Sequence, residues 1–265
     1  MNGGRANDFM SESHTPDRVE LIALLDFPEV QPGDFLPRLV AESARQNDIA
    51  FANKDILVVA QKVVSKAEGR SRLLSDVVPS AEALSLAQKT EKDPRIVELI
   101  LQESVSVVRQ TTGLIIAENR LGIVMANAGI DQSNIEDGHA LLLPKDPDAS
   151  AKAIRDHVRD CFHSQIGVII VDSIGRAWRK GVVGHAIGVA GIHALLDLRG
   201  RPDRHGRDLR VTEVAIADEI AAAGSMLMGQ ADEGKPVVLV RGFHNIQGIS
   251  SARALLRSHD LDLFR

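Results

Sequence analysis

The chain alternates short apolar runs with longer segments in which apolar residues recur at helical spacing. The runs at 55–60, 167–171 and 237–240 predict strands buried on both faces, and residues 18–25 predict a further strand. Helical spacing predicts helices at 35–48, 80–104 with a break at Asp93-Pro94, 148–162 and 213–228, with another short helix near 252–256. Asp148 or Ser150 and Thr212 are the expected N-terminal signals of the last two long helices.

Between these elements the pattern changes in two places. Three short apolar runs at 105–108, 114–117 and 122–126 have close connections and predict an antiparallel meander. Residues 172–192 contain five glycines, which predicts bulges and tight turns more than regular strand pairing. We therefore predict an α+β fold with mixed and antiparallel sheets and two intimately joined, interleaved subdomains over 18–265. Residues 1–17 are polar and predict a disordered tail.

Composition narrows the function classes. The formal net charge of −5, a pI near 6.0 and 3% aromatic residues argue against a nucleic-acid partner. The single cysteine, Cys161, excludes an internal disulfide and is interpreted as a core or boundary residue rather than a nucleophile. No apolar stretch approaches the ~18 residues of a membrane span, and the first residues lack the apolar region of a signal peptide, so a cytoplasmic protein is expected.

Two apolar runs end in carboxylates. The stretch 121–134 leads into Asp131, Ser133 and Asn134, and the run 168–171 leads into Asp172-Ser173. Two aspartates at strand ends, with a serine hydroxyl beside one of them, suit Mg²⁺ or Mn²⁺ because these ions take carboxylates together with substrate phosphates. The alternative, from spacing alone, is that both aspartates only form turns.

Two lysines follow the strand at 55–60. Lys62 and Lys66 are placed to meet an anion, but a solvated helix start explains the same spacing. In that alternative, Ser65 caps a helix that carries Glu68, in an S-x-x-E capping box. The histidines show no paired-ligand spacing and are interpreted as structural or surface residues.

Residues Gly229–Lys235 fit the phosphate-loop pattern G-x-x-x-x-G-K. A true phosphate loop follows a strand, continues with Ser or Thr and opens a helix, whereas this one follows a predicted helix and continues with Pro236. Proline offers no N–H to a phosphate, and Asp232 and Glu233 would repel it. The phosphate-loop interpretation is rejected. Contact with a nucleotide through a metal ion and a plain surface turn are both left open.

Five blocks in order resemble the coenzyme F-420 gamma-glutamyl ligase family over about 19–257, namely AQKVVSKAEGR, NRLGIVMANAGIDQSN, LLPKDPDASA, VIIVDSIGRAWRKGVVGHAIGVAGI and GQADEGKPVVLVRG. The resemblance implies a GTP-dependent enzyme that joins L-glutamate to the carboxylate of a deazaflavin precursor, coenzyme F-420-0, through an acyl phosphate, and then adds further gamma-linked glutamates. It also implies Mg²⁺ or Mn²⁺, K⁺ and a homodimer. One departure is Gly33-Asp34-Phe35, where the family commonly has Gly-Asp-Asp.

Carried onto matching positions, the resemblance assigns metal ligands, nucleotide contacts and catalytic residues. The implied metal ligands are Asp131, Asp172, Ser173 and Gln230. The implied GTP contacts are Phe27, Pro28, Glu29, Val30, Gln61, Lys62, Lys66, Asn134, Met228, Gly229, Gln230, Ala231, Asp232, Glu233, Gly234 and Lys235. Lys66, Asp131 and Asp172 are the implied catalytic residues. Two alternatives remain: a nucleotide- and metal-binding homologue without catalysis, and a ligase for a different carboxylate acceptor.

Overall fold

The computed structural model describes residues 18–243 and 246–263. Its strands are β1 (Glu20–Ala23), β2 (Ile56–Ala60), β3 (Ser71–Leu73), β4 (Ser104–Thr111), β5 (Leu114–Asn119), β6 (Val124–Ala126), β7 (His139–Leu141), β8 (Gly167–Arg176), β9 (Arg179–Ala190), β10 (Leu196–Asp197), β11 (Glu213–Val214) and β12 (Val237–Arg241). Its helices are α1 (Leu36–Gln46), α2 (Gln61–Ala67), α3 (Ala81–Thr90), α4 (Pro94–Glu103), α5 (Pro147–Phe162) and α6 (Ile216–Met228). The predicted tail at 1–17 lies outside the described residues.

A five-stranded mixed sheet is the centre of the fold. Its order is β1-β12-β2-β8-β9, with β2 and β8 parallel and the other neighbours antiparallel. One face packs against α1 and α5 through residues such as Leu57 and Ile170, and the other packs against α6 through Val58 and Ile169. The α+β class and the mixed sheet are confirmed, and the continuous apolar character of β2 and β8 follows from burial on both faces.

A third apolar cluster lies outside this sheet. Helices α3 and α4 pack on the antiparallel sheet β4-β5-β6, with Ile100 and Ile115 fully buried between them. The predicted meander is confirmed, as is the break between α3 and α4, where the Asp93 side chain accepts a hydrogen bond from Arg95 N. The division into two subdomains stays a prediction. No helix in the described part of the chain is long and apolar enough to cross a membrane.

Two local predictions, both of helix N-terminal caps, are wrong. Helix α5 begins at Pro147, and its cap is Asp146, which accepts from Ala149 N; proline at the first position fits because that N–H would have no partner in the helix. Thr212 caps no helix, because residues Glu213–Val214 pair with β10 and α6 begins only at Ile216. The predicted short helix near 252–256 is confirmed, as a 3₁₀ helix at Ala252–Leu255.

The glycine-rich segment also differs from the prediction. Residues 172–190 form most of a long antiparallel hairpin, β8–β9, which is regular apart from register shifts after Ile170 and Gly175. Asp172 and Ser173 therefore lie inside β8, not at its end. The glycines are used for close packing: a Cβ on Gly184 would lie 2.6 Å from Ser225 Cβ and 2.7 Å from the carbonyl oxygen of Ala221, both on α6.

Candidate active site

Three elements of the central sheet converge at one edge. β2 and β8 are parallel neighbours, and the last pair in register is Ala60 with Val171. Gln61 therefore begins α2 beside Asp172, which continues in β8 as a partner of β9. β12 runs the opposite way, and Pro236 O accepts from Ala60 N at 2.8 Å, so the loop before β12 meets the same edge. Ligands commonly bind at the carboxyl ends of parallel strands. Three of the predicted segments meet here for this reason.

Asp131 reaches this edge from the other part of the fold. It forms an isolated antiparallel bridge with Leu141, next to the β3–β7 pair. Its carboxylate accepts from Lys62 Nζ at 2.8 Å and from Ser133 N at 2.7 Å, and Lys62 also donates to Ser133 Oγ at 2.6 Å. Burial opposes ionisation of this carboxylate, but these hydrogen bonds outweigh it and lower the pKa of Asp131. Asp131 is therefore ionised at neutral pH.

Asp172 has the opposite electrostatic environment. Its side chain is half-buried and accepts from its neighbour Ser173 N at 2.8 Å. Burial, reinforced by the charge of Asp131, raises the pKa of Asp172 to about 7, although the hydrogen bond from Ser173 N opposes this. The two carboxylates are close enough to affect each other's ionisation, and the pKa of Asp172 lies near neutral pH. A bound cation would stabilise the form in which both are ionised.

A chain of polar side chains continues from Asp172 to helix α6. Ser173 Oγ donates to Gln230 Oε1 at 2.7 Å, and Gln230 Nε2 donates to Ser225 Oγ at 3.0 Å. The Ser225 hydroxyl accepts from the NH₂ group of the Gln230 amide, which leaves the amide oxygen for Ser173. Gln230 Oε1 is thus presented on the side of Ser173.

Helix α2 carries the two lysines that line the cleft, Lys62 and Lys66. Ser65 does not cap a helix: it lies inside α2, where its hydroxyl donates to Gln61 Oε1 at 2.9 Å, while Glu68 is the C-terminal capping residue. Lys66 Nζ lies 2.5 Å from Glu29 Oε1, so it meets the turn at 27–30. Both lysines have carboxylate partners that a phosphate could replace.

The loop after α6 closes the cleft from the third side. It follows a helix and leads into a strand, the opposite of the order in a phosphate loop, as predicted from the sequence. Gly229 has φ +78°, and its missing side chain makes room for the Glu233 carboxylate, which accepts from Ala231 N at 2.8 Å. Asn134 Nδ2 donates to Ala231 O at 3.0 Å, which ties this loop to the Asp131 segment.

These segments line one cleft of about 1010 Å³. Every residue assigned to nucleotide, metal or catalysis by resemblance lines it, and the cleft volume suits a nucleotide-sized ligand. Ser225 was not predicted as part of the site; its only signal in the sequence is one hydroxyl in the apolar stretch of α6. Ser133 was noticed as a neighbour of Asp131, but its contact with Lys62 was not foreseen.

The donor set fits a metal ion that arrives with a phosphate ligand. No cluster of three or more His, Cys, Asp or Glu suited to a metal occurs within 18–243 and 246–263. A resident cage built from protein side chains is therefore a poor fit. Asp131 and Asp172 with the oxygens of Ser173 and Gln230 match the pattern of one or two carboxylates completed by water and substrate phosphate.

The fold and cleft define an α+β protein with paired carboxylates, two lysines and an amide at the mouth of a nucleotide-sized cleft. Comparison with known proteins identifies the family to which such a chain belongs. A family model described as F420-0:Gamma-glutamyl ligase matches residues 25–242. The chain belongs to this family.

Curated relatives support the same assignment over nearly their full length. The chain is 47% identical over 250 residues to Coenzyme F420:L-glutamate ligase of Methanocaldococcus jannaschii, covering 94% of this chain and 97% of that protein. It is 46% identical over 241 residues to the Methanopyrus kandleri protein of the same name, covering 89% and 94%. The Archaeoglobus fulgidus protein of that name is 41% identical over 248 residues, with 94% and 97% covered.

Proposed function

We propose that this protein is a GTP-dependent ligase that joins L-glutamate to the carboxylate of coenzyme F-420-0 and then adds further gamma-linked glutamates. Family membership supports the ligase class. The observation that carries the rest is the convergence of two aspartates and two lysines from separate segments at one cleft. Phosphoryl transfer requires positioning and charge neutralisation more than a protein nucleophile.

In the proposed reaction, a carboxylate oxygen of the acceptor attacks the terminal phosphorus of GTP. The bond from that phosphorus to the bridging oxygen breaks, GDP leaves, and an acyl phosphate forms. The amine nitrogen of glutamate then attacks the acyl carbon, phosphate leaves with the bonding electron pair, and the nitrogen loses its proton to solvent. Amide formation is driven by the cleavage of one phosphoanhydride bond.

The chain's own groups have distinct tasks in this proposal. When GTP binds, Lys62 leaves its partner Asp131 and donates to a phosphate oxygen. Lys66 leaves Glu29 and donates to another phosphate oxygen. Two ions of Mg²⁺ or Mn²⁺ are part of the proposal: Asp131 and Asp172 would hold the first, and Ser173 and Gln230 would hold the second. The bound ions would supply positive charge to the transferring phosphoryl group. A role for K⁺ is part of the proposal, with no residue assigned to it.

A homodimer is also proposed. The β4-β5-β6 sheet has exposed apolar side chains, with Val105 68% and Val124 38% exposed. Exposed apolar residues grouped on one sheet favour association. Light scattering after size-exclusion chromatography should give the mass of two chains, and Val105→Lys should shift it to the mass of one.

The activity test is direct. Purified protein with F-420-0, L-glutamate, GTP and Mn²⁺ should yield products heavier by whole glutamyl residues, together with GDP and phosphate, as read by mass spectrometry. Asp172→Ala should give none of these products while keeping the circular dichroism spectrum of the folded protein. GTP binding without any glutamylated product would instead favour a binding protein, and product formed only with another carboxylic acid would favour a different acceptor.

A further inference from the structure

A second cavity, of about 900 Å³, lies along the free edge of β9. We call it the edge cavity. Its walls are the outer part of the β8–β9 hairpin, the first turns of α5 and the 3₁₀ turn at 252–255. Apolar side chains of the hairpin and of the 3₁₀ turn line it, including Ile174, Ile187 and Leu255. It is separate from the nucleotide cleft and has no part in the assignments above.

The edge of β9 is closed to an added strand. Its outward N–H groups at Ala186 and Val189 donate to the carboxylates of Asp218 and Asp148, at 2.8 and 2.7 Å. Asp148 also accepts from Ser251 Oγ and Ala252 N, so it fixes the 3₁₀ turn to this edge. Because the ladder donors are already satisfied, the cavity suits a compact ligand and not an extended peptide.

The lining has a surplus of positive charge. Three acids line it, and each already accepts a backbone N–H: Asp146, Asp148 and Asp218. Five cations line it: Arg120, Lys145, Lys152, Arg155 and Arg253. Lys152 already pairs with Asp156, and Arg120 Nε donates to Gln102 O. A ligand that fills this cavity therefore meets the charges of Lys145, Arg155 and Arg253, while the carboxylates accept from the protein backbone. An anion is the favoured charge type.

Arg155 is the strongest single indication of an anion. Its Nε is buried and has no hydrogen-bond partner within the described ranges. The guanidinium lies over Gly191, where an added Cβ would be 2.6 Å from Nε, so the backbone itself makes room for this side chain. A buried N–H donor without a partner carries a free-energy penalty that an acceptor on a ligand would remove.

The two cavities meet at one cross-strand pair. Asp172 on β8 is in register with His185 on β9. Asp172 lines the nucleotide cleft, whereas His185 lines the edge cavity. Side chains of directly paired residues lie on one face of a sheet with Cβ atoms roughly 5 Å apart. A ligand in the edge cavity can therefore place one end beside Asp172.

We propose that the edge cavity binds the acceptor of the ligation reaction, an anionic molecule with a flat apolar ring system. The ring packs on Ile174, Ile187 and Leu255, an anionic group accepts from Arg155, and the reacting carboxylate lies at the Asp172–His185 junction. This inference rests on the proposed function and extends it, because it assigns the acceptor to a cavity on the other side of Asp172 from the nucleotide.

Two variants test the assignment by different means. Arg155→Gln removes the guanidinium, and Ala149→Trp fills the cavity from an exposed position in the first turn of α5 without altering charge. Arg159→Gln is the matched control, one turn further along α5 and outside the cavity lining. The dissociation constant of F-420-0 is measured by deazaflavin fluorescence with GDP and Mn²⁺ present, and that of GDP by calorimetry.

Both cavity variants should weaken F-420-0 binding at least tenfold, while the control stays within twofold of wild type. GDP binding should be unchanged in all three variants, which separates the acceptor site from the nucleotide site and also reports correct folding. Wild-type affinity for F-420-0 in both cavity variants would overturn the edge-cavity assignment and leave the proposed function standing. Failure of the wild-type protein to bind F-420-0 would overturn both.

Discussion

Lys62 Nζ lies 2.8 Å from Asp131 Oδ2, and this contact joins the helix after β2 to the segment beside the β3–β7 pair. Lys62 belongs to α2, directly after the central strand β2, whereas Asp131 is bridged to Leu141 beside the β3–β7 pair. The pair holds Asp131 ionised and places an ammonium group at the cleft. A metal ion that binds Asp131 would release that ammonium group for a phosphate.

Lys62→Met should therefore weaken nucleotide binding. The variant removes the cation that we assign to a phosphate, so the GTP dissociation constant measured by calorimetry with Mg²⁺ should rise by roughly 10–100-fold, since a charge-assisted hydrogen bond contributes about 1.5–3 kcal/mol. Lys89→Met, which alters an exposed lysine of α3, is the control and should bind like wild type. Equal affinity of both variants would exclude Lys62 from the phosphate site.

Asp172→Asn should make the metal-free protein more stable than wild type at alkaline pH. A folded-state pKa raised from 3.8 to about 7 means that the folded protein binds more protons than the unfolded chain between these pH values, so wild-type stability falls as pH rises through that window. Asparagine cannot ionise and lacks this loss. Urea unfolding in EDTA should show the variant more stable than wild type by roughly 1–3 kcal/mol at pH 8, with little difference near pH 4.

Asp131→Asn should change the folding stability in the opposite direction. The pKa of Asp131 is lowered in the folded state, so its carboxylate contributes stability that is present above the unfolded pKa and lost as pH falls through the folded value. This variant should be less stable than wild type at pH 8, although both variants should lose ligase activity. If both shift stability in the same direction, the opposed environments of the two carboxylates are not as described.

The fold could be predicted wherever one apolar pattern fixed one element. The buried strands β2, β8 and β12 and the break at Asp93-Pro94 are local features of sequence. The length of the β8–β9 hairpin was not predictable from its glycines, because their purpose is contact with distant groups: Gly184 with α6, and Gly188 with the backbone of Pro147. Such contacts leave no periodicity in the chain.

The same difference between local patterns and long-range contacts applies to the residues of the site. Asp131, Asp172 and the two lysines were noticed because each follows an apolar run, but that observation could not exclude plain turns. Their convergence depends on the parallel pairing of β2 with β8, which joins segments more than one hundred residues apart. Ser225 and Arg155 gave no comparable signal, since each is one polar residue on a helix and only its partner, or the absence of one among the described residues, distinguishes it.

Gly184→Ala should destabilise the protein by forcing helix α6 away from the central sheet. The added Cβ would lie 2.6–2.8 Å from Ser225 Cβ, Ala221 O and Val171 Cγ2, so α6 must move from the sheet, at a cost of about 1–3 kcal/mol. Gly175→Ala on the same hairpin is the matched control, because nothing lies within 4 Å of its added Cβ. Thermal unfolding of both variants checks the prediction; equal melting temperatures would contradict the close packing of α6 on β9.

Gln230→Ala should remove one metal ion and leave the other. Gln230 Oε1 accepts from Ser173 Oγ, and we assign both groups to a second metal position beside the Asp131–Asp172 pair. Titration of Mn²⁺ in the presence of GTP, followed by electron paramagnetic resonance, should give two bound ions for wild type and one for the variant. Ser225→Ala should keep two ions but bind the weaker one less tightly, because Ser225 only orients the amide through Gln230 Nε2. Two tightly bound ions in Gln230→Ala would show that the amide is not a ligand, and one ion in wild type would show that the second position does not exist.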